Sequence, residues 1–173
     1  MEKDALREKL RSIGAEAQEV AQHLRDVVFI INPRFDVFSE VQAYYREKAH
    51  EFLDDLGLDA QFYFPKPEHN PSVPPEVKRQ LFLLLRECLN NIAKHAQATE
   101  VHLTFQSRVF GTESLATYFL EVRDNGQGFD LENTRHFSNG LKSMTERAEK
   151  IGANLEIKSA PGQGTAIRVE GSL

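Results

Sequence analysis

One face of a predicted helix carries five polar side chains of four chemical types: Glu87, Asn90, Asn91, Lys94 and His95. Residues three and four positions apart lie on the same face of an α-helix, so the five side chains form one stripe. The other face is apolar and carries Leu85, Leu89, Ile92, Ala93 and Ala96. The stretch "RECLNNIAKHA", residues 86–96, is therefore predicted to be an amphipathic helix with an unusual mixture of functional groups.

The polar stripe, defined as these five residues, has two explanations. It could be a solvated helix face, but such faces are usually rich in Glu, Lys and Arg that form pairs one turn apart. Two adjacent asparagines weaken a helix. An amide oxygen suits a hard divalent cation, ammonium and imidazole groups suit phosphate, and a carboxylate one turn from an asparagine can orient or deprotonate a nucleophile. The polar stripe is therefore typical of a magnesium–polyphosphate site.

Length and composition restrict the class of protein. The chain of 173 residues is long enough for one domain with a sizeable core and a short appendage. The net charge of −5 argues against nucleic acid as the main partner. Cys88 is the single cysteine, which excludes an internal disulfide and fits a reducing compartment. No apolar run of membrane-spanning length and no signal peptide is present, so we expect a cytoplasmic chain without membrane contact.

The first 32 residues are predicted to form one long helix. Its apolar residues recur at alternating steps of four and three, which is the seam of a coiled coil or helical bundle. The seam consists of Leu6, Leu10, Ile13, Ala17, Val20, Leu24, Val27 and Ile31. Pro33 ends the helix at or before Asn32. The helix could pack along its own domain, but strict seam spacing favours pairing with another helix.

The remaining pattern predicts a mixed sheet covered by helices. A second helix is expected after Val37, with Ser39 as its N-cap and Gly57 at its end. A short strand "AQFYF", a proline-rich loop, and a helix from about Pro75 to His95 follow. Two strands, a helix closed by Gly152, and two final strands complete the chain. This order predicts an α/β fold, a two-layer α/β sandwich preceded by a long N-terminal helix.

Three glycine-bearing turns follow the polar stripe: "DNGQGFD" at residues 124–130, "SNGLKSM" at 138–144 and "PGQGT" at 161–165. Glycines in the first turn allow close backbone approach, and free backbone N–H groups in the second could meet phosphate. Each motif alone is a common turn or hairpin signal. The order and spacing of all four elements make the pattern specific.

With these four elements, the chain resembles the catalytic, ATP-binding domain of bacterial two-component sensor histidine kinases. "ECLNNIAKHA" resembles the N box of that family, and the three turns resemble its three glycine boxes. The fold implied is the Bergerat-type ATP-binding sandwich shared with gyrase, heat-shock chaperones and mismatch-repair ATPases. The run "GLKSMTERA" is similar to the subfamily of nitrate-responsive and desaturase-controlling kinases. Residues 34–173 correspond to this domain, and residues 1–33 resemble the last helix of the dimerisation and phosphoacceptor domain.

The resemblance implies roles for the polar stripe. Glu87 is the expected catalytic residue, which polarises or deprotonates the attacking histidine of the phosphoacceptor domain. Asn91 is the expected magnesium ligand. Lys94 and His95 are expected to lie toward the phosphates of ATP.

The resemblance also implies roles for the turns. Asp124 accepts a hydrogen bond from the adenine amino group, Thr165 fixes adenine from the far side, and Gly126 and Gly128 let the nucleotide approach. Phosphate contacts are expected at the end of a short lid, Leu131 to Asn139, from Ser138, Gly140 and Leu141. The family usually has glycine where this chain has Ser138.

The function implied is transfer of the γ-phosphate of ATP, with Mg²⁺, to a histidine of the dimerisation domain, with a response regulator as the downstream partner. A homodimer through residues 6–31 is expected. Among the six histidines only His23 is a contender for the phosphoacceptor, and Leu24 follows it where the family has an acidic residue. We therefore expect that the chain lacks its own phosphoacceptor.

An anti-sigma-factor-type serine kinase and a non-catalytic nucleotide-binding dimerisation module remain alternatives. The chain has no P-loop motif and no zinc-site spacing.

Overall fold

The structure, a computed structural model, describes residues 9, 13–14, 17, 20–21, 24–110, 115–131 and 139–173. The chain divides into two compact units, Met1–Phe35 and Asp36–Leu173. None of the helices within the described residues is both long enough and apolar enough to span a membrane.

The first unit is helical at the described positions up to Ile31. Residues 24–31 form a continuous helix, α1, and a 3₁₀ turn spans Pro33–Phe35. The helix therefore ends before Pro33, as expected. The described large apolar residues of the seam are between 49% and 70% exposed: Ile13, Val20, Leu24, Val27 and Ile31. Leu6, Leu10 and His23 lie outside the described residues.

The second unit is built on a five-stranded sheet with strand order β1-β2-β3-β5-β4. The strands are β1 (Asp59–Tyr63), β2 (Glu100–Phe110), β3 (Leu115–Asp124), β4 (Asn154–Ser159) and β5 (Thr165–Ser172). β1 runs parallel to β2, and the other neighbouring strands are antiparallel. Asp124, the last residue of β3, pairs with Thr165, the first of β5. The sheet thus brings two predicted site residues side by side.

Three helices cover one face of the sheet: α2 (Phe38–Asp55), α3 (Pro75–Asn91) and α4 (Asn139–Lys150). Along the central strands every second residue is buried, as in Val101, Leu103 and Phe105 of β2, while the residues between them are more exposed. Period-two burial of this kind means that one face meets the helices and the other meets water. The expected two-layer α/β sandwich is therefore confirmed.

The start of α2 corrects one expectation. The helix begins at Phe38 with Val37 as its N-cap, so Ser39 lies within the first turn and is not the cap. The N–H of Phe38 donates to Pro71 O at 2.9 Å, and the N–H of Ser39 donates to Asn70 Oδ1 at 2.8 Å. A distant loop therefore satisfies the free donors of this helix end, and no local cap is needed. Gly57 follows the end of α2 with φ of 66°, as expected.

The helix that carries the polar stripe also differs from expectation. The α-helical part of α3 stops at Asn91, and Ile92–Ala96 form a π turn instead of continuing the α-helix to His95. Gln97 then adopts a left-handed conformation with φ of 52°. A π turn contains more residues than an α turn. Lys94 and His95 are therefore rotated away from the positions that α-helical spacing predicts.

A buried ion pair lies near the other end of α3. Lys78 Nζ is 2.6 Å from Asp36 Oδ1, and the Lys78 side chain is fully buried. The backbone carbonyl of Asp36 also accepts a hydrogen bond from Val73 N–H at 2.6 Å. These contacts fix the first residue of the second unit against α3.

Candidate nucleotide-binding site

A cavity of about 540 Å³ opens at one end of the sheet, beside α3 and the start of α4. All five residues of the polar stripe line it, in spite of the π turn. The other predicted site residues in its wall are Asp124, Gly128, Gly140, Leu141 and Thr165. Gly126 does not line the cavity, and Ser138 is outside the described residues. The structure therefore brings together most of the residues that the sequence motifs singled out.

The Glu87 carboxylate lies against the first turn of α4. A Cβ atom added to Gly140 would overlap Glu87 Oε1 and would lie 3.8 Å from Asn91 Oδ1. The absence of a side chain at residue 140 thus leaves room for the Glu87 carboxylate, with the Asn91 amide beside it. Lys94 lines the same cavity as this carboxylate and this amide oxygen.

Asp124 and Thr165 line the cavity from the ends of two neighbouring strands. Paired residues on adjacent strands project from the same face of a sheet, so both side chains stand together at the strand ends. Asp124 is buried, and the Gly126 N–H donates to its Oδ1 at 2.8 Å. Burial raises the pKa of Asp124, and the backbone N–H groups of Gly126 and Thr165 partly oppose this rise. A buried carboxylate beside apolar walls can accept a hydrogen bond from a flat, polar-edged ligand.

Ser159, which sequence reasoning did not single out, joins the first and third glycine turns. Its Oγ accepts a hydrogen bond from Phe129 N–H at 2.9 Å and donates to Gly164 O at 3.0 Å. It also lies 3.0 Å from Thr165 Oγ1. A sequence signal did exist, because Ser159 is the last residue of a strand and a hairpin over "APGQG" pairs it with Thr165.

Packing within the protein itself explains why the first turn has glycine at two positions. A Cβ on Gly126 would overlap Ala96 O, and one on Gly128 would overlap Ala160 O. Gly126 therefore lets the turn pack against the end of the π turn, and Gly128 lets it pack against the third glycine turn. Their expected role in nucleotide approach stays a prediction.

Two polar residues of the first turn, to which the motif assigned no role, hold the turn in place. Asn125 Oδ1 accepts hydrogen bonds from the N–H groups of Thr99 and Glu100 at 2.9 and 3.0 Å. Gln127 donates its backbone N–H to Ala96 O at 2.7 Å and its side-chain N–H to His95 O at 2.6 Å. The turn that carries Asp124 is thus tied directly to the π turn that carries Lys94 and His95.

Cys88 lies in the wall of the cavity but is buried, as expected for a residue of the core. Burial raises the pKa of its thiol to about 12. The reactive form of cysteine is the thiolate. Cys88 is therefore protonated near neutral pH and packs as a small apolar residue.

The donors in the wall fit the expected magnesium nucleotide. Among the described residues, no group of three or more His, Cys, Asp and Glu side chains is placed to hold a metal ion. Magnesium usually takes few protein ligands and fills its remaining positions with water and substrate phosphates. The amide oxygen of Asn91 is a ligand of that kind, and Lys94 lines the same cavity.

Residues 76–172 match the family model described as histidine kinase-, DNA gyrase B- and HSP90-like ATPase. The match covers more than half of the chain, so the chain belongs to this family of ATPases. The family expected from the N box and the glycine turns is thereby confirmed.

Among curated proteins, the chain is similar to Sensor protein VraS of Staphylococcus saprophyticus, with 35% identity over 127 residues. Sensor protein VraS of Staphylococcus aureus is 34% identical over the same length. These matches cover 71% of this chain and 35% of each relative, so the chain spans about a third of the length of the curated relatives it matches. The expectation that the chain is the ATP-binding catalytic part of a sensor histidine kinase is confirmed.

Solved structures show the same fold at low sequence identity. The histidine kinase domain of a blue-light activated histidine kinase from Erythrobacter litoralis has a TM-score of 0.57 and 20% identity, covering 75% of this chain and 59% of that one. The histidine kinase AdeS of Acinetobacter baumannii has a TM-score of 0.57 and 14% identity, covering 95% and 82%. At this identity the similarity shows the fold alone.

Proposed function

We propose that this chain binds ATP with Mg²⁺ and transfers the γ-phosphate to a histidine presented by the phosphoacceptor domain of the same kinase, from which a response regulator then receives it. One observation carries the proposal: the buried Asp124, Thr165 and all five residues of the polar stripe line a single cavity. Phosphoryl transfer depends mainly on positioning and charge neutralisation. The cavity supplies groups for both.

The proposed roles in the polar stripe are separate. Glu87 orients or deprotonates the incoming imidazole, because its carboxylate lies against the first turn of α4 at the wall of the cavity. Asn91 ligates Mg²⁺ through its amide oxygen. Lys94 and His95, both exposed on the π turn, donate to phosphate oxygens.

The remaining proposed roles are selection of the base and contact with the phosphates. Asp124 and Thr165 select the base, and Gly126 and Gly128 let the first turn pack closely against its neighbouring turns so that the base can enter. Gly140 and Leu141 border the phosphates at the start of α4. Ser138 is proposed to contact phosphate through its hydroxyl group.

The first unit supports a proposal about assembly. The apolar seam is exposed at every described large residue, and such a seam is usually buried against another helix. We propose that residues 1–33 are the last helix of a dimerisation domain, that residues 6–31 pair with a second copy, and that the chain works in the cytoplasm.

Titration calorimetry with ATP and Mg²⁺ tests the site. Asp124→Asn replaces a pure acceptor with a mixed donor and acceptor, so adenine recognition should weaken at least tenfold. Glu87→Gln should leave ATP affinity nearly unchanged, whereas Asn91→Ala should weaken magnesium-dependent binding. Absence of ATP binding by the folded wild-type chain at millimolar concentration would remove the proposal.

Label transfer from γ-labelled ATP tests the reaction. A supplied phosphoacceptor domain should become labelled in acid-labile form, and Glu87→Gln should reduce the rate strongly. The chain alone should stay unlabelled. Acid-labile label on the chain that disappears with His23→Gln would show that His23 is a phosphoacceptor, and acid-stable label on a partner serine would favour the serine-kinase alternative.

A further inference from the structure

Three side chains on neighbouring strands form a row, and two of them, Asp124 and Thr165, line the part of the cavity that we call the base end. Asp124 of β3 pairs with Thr165 of β5, and Thr165 pairs with Ser159 of β4. Directly paired residues project from one face of the sheet. The row therefore runs from the buried carboxylate, through the Thr165 hydroxyl, to the Ser159 hydroxyl.

The hydrogen-bond partners of Ser159 determine where its single hydroxyl proton goes. A serine hydroxyl has one donor and two acceptor positions. Gly164 O can only accept, so the Ser159 proton points to it at 3.0 Å. Phe129 N–H can only donate, and it occupies one acceptor position at 2.9 Å. Thr165 Oγ1, 3.0 Å away, must then donate to the remaining acceptor position.

This arrangement has a consequence for the cavity. The proton of the Thr165 hydroxyl is used within the protein, so only the lone pairs of its oxygen remain for a ligand. The Asp124 carboxylate beside it is also an acceptor when ionised. The base end of the cavity therefore presents two acceptors, and it is complementary to a group that donates.

We propose that Ser159 is a positioning residue for base selection: it holds the Thr165 hydroxyl as an acceptor and so favours 6-amino purines over 6-oxo purines. The proposal rests on the proposed function, because it assumes that a purine nucleotide enters this cavity. A 6-amino group donates hydrogen bonds toward both acceptors, whereas a 6-oxo group places a third acceptor against them. An unmatched buried polar group is unfavourable, which is how a polar site rejects a near-isosteric ligand.

The experiment compares ATP with inosine triphosphate, which carries an oxo group in place of the amino group of adenine at C6. The ratio of their dissociation constants is measured by titration calorimetry with Mg²⁺. Ser159→Ala frees the Thr165 hydroxyl to rotate and donate to the oxo group. The preference for ATP should therefore fall about five- to tenfold, which corresponds to about one hydrogen bond. Ser159→Thr keeps the hydroxyl group and should keep the wild-type ratio.

The Ser159→Ala substitution is also tested in a chain that carries Thr165→Val, which separates base selection from general damage to the turns. In Thr165→Val the hydroxyl is absent, so adding Ser159→Ala should leave the ratio of the two dissociation constants unchanged. Ser159→Cys, with a thiol that accepts hydrogen bonds poorly, replaces the alanine variant if the latter does not fold. Equal weakening of both nucleotides by Ser159→Ala, or the same change of ratio in the valine background, would overturn the proposal. A wild-type chain that binds neither nucleotide would instead refute the proposed function.

Discussion

Two glycines of the third turn allow a matched test of how the turn is built. Gly162 and Gly164 have φ angles of 75° and 70°, so alanine is strained at both positions. A Cβ atom on Gly162 meets no atom within 4 Å, whereas one on Gly164 would overlap Asp124 O and lie 3.0 Å from Asp124 C. Gly162→Ala and Gly164→Ala therefore share the backbone strain but differ in steric overlap.

The expected magnitudes follow from this difference. A left-handed conformation costs an L-residue about 1–2 kcal/mol, and alanine recovers about 0.4–1 kcal/mol by restricting the unfolded chain. Gly162→Ala should therefore reduce the free energy of unfolding by about 1 kcal/mol. Gly164→Ala adds an overlap with backbone that cannot rotate away, and forced shifts of this kind cost about 1–3 kcal/mol more. Its total should be about 3 kcal/mol.

Urea denaturation followed by circular dichroism measures both values. For a chain of this size, about 3 kcal/mol corresponds to a fall in melting temperature of roughly 6–12 °C. Gly164→Ala should also weaken ATP binding, because the turn must move away from Asp124, while Gly162→Ala should bind ATP as the wild type does. Equal destabilisation by the two substitutions would refute the steric part of the reasoning.

Three further predictions concern other parts of the second unit. Asp36→Asn should lower the free energy of unfolding by about 3 kcal/mol in urea denaturation, because the buried Lys78 ammonium loses its carboxylate partner; a loss below about 1 kcal/mol would contradict it, and Lys78→Met in addition should recover most of the loss. Burial raises the pKa of Cys88 from 9.0 to about 12, so its contribution to stability is complete below pH 9 and is lost as the pH rises toward 12. Cys88→Ala should therefore flatten the fall in melting temperature above pH 9, and an unchanged slope there would argue against it. Gly140→Ala should slow label transfer to a supplied phosphoacceptor domain by a larger factor than it weakens ATP binding, because the new Cβ overlaps the Glu87 carboxylate and only touches Asn91; equal factors would show that the carboxylate position is not critical.

The sequence predicts the parts of the fold that depend on periodicity. Alternation of apolar residues identified the strands, and spacings of three and four identified the helices, because these periods are fixed by backbone geometry. The same rule placed the five residues of the polar stripe on one wall. It did not predict the orientation of Lys94 and His95, because these two residues lie in a π turn and not in an α-helix.

Contacts between distant segments were not predictable in this way. Ser39 has the residue type of an N-cap, but the loop at Asn70 and Pro71 supplies the acceptors for the start of α2. Gln127 lies in the first glycine turn and Ser159 ends a strand, but their hydrogen bonds depend on distant segments that fold against them. The local sequence predicts which residues form a turn, but it does not predict which distant residues the turn contacts.

The links between the first and third glycine turns have a consequence for hydrogen exchange. Gly162 N–H donates to Gln127 O at 2.6 Å, and Phe129 N–H donates to Ser159 Oγ at 2.9 Å. Amides that are protected by one another's segments open together, as a single cooperative unit. We therefore expect these two amides to exchange at similar rates and to slow together when nucleotide is added. Because the base end is already ordered, it loses little conformational entropy when the nucleotide binds. A larger part of the favourable contact energy is then left to contribute to affinity.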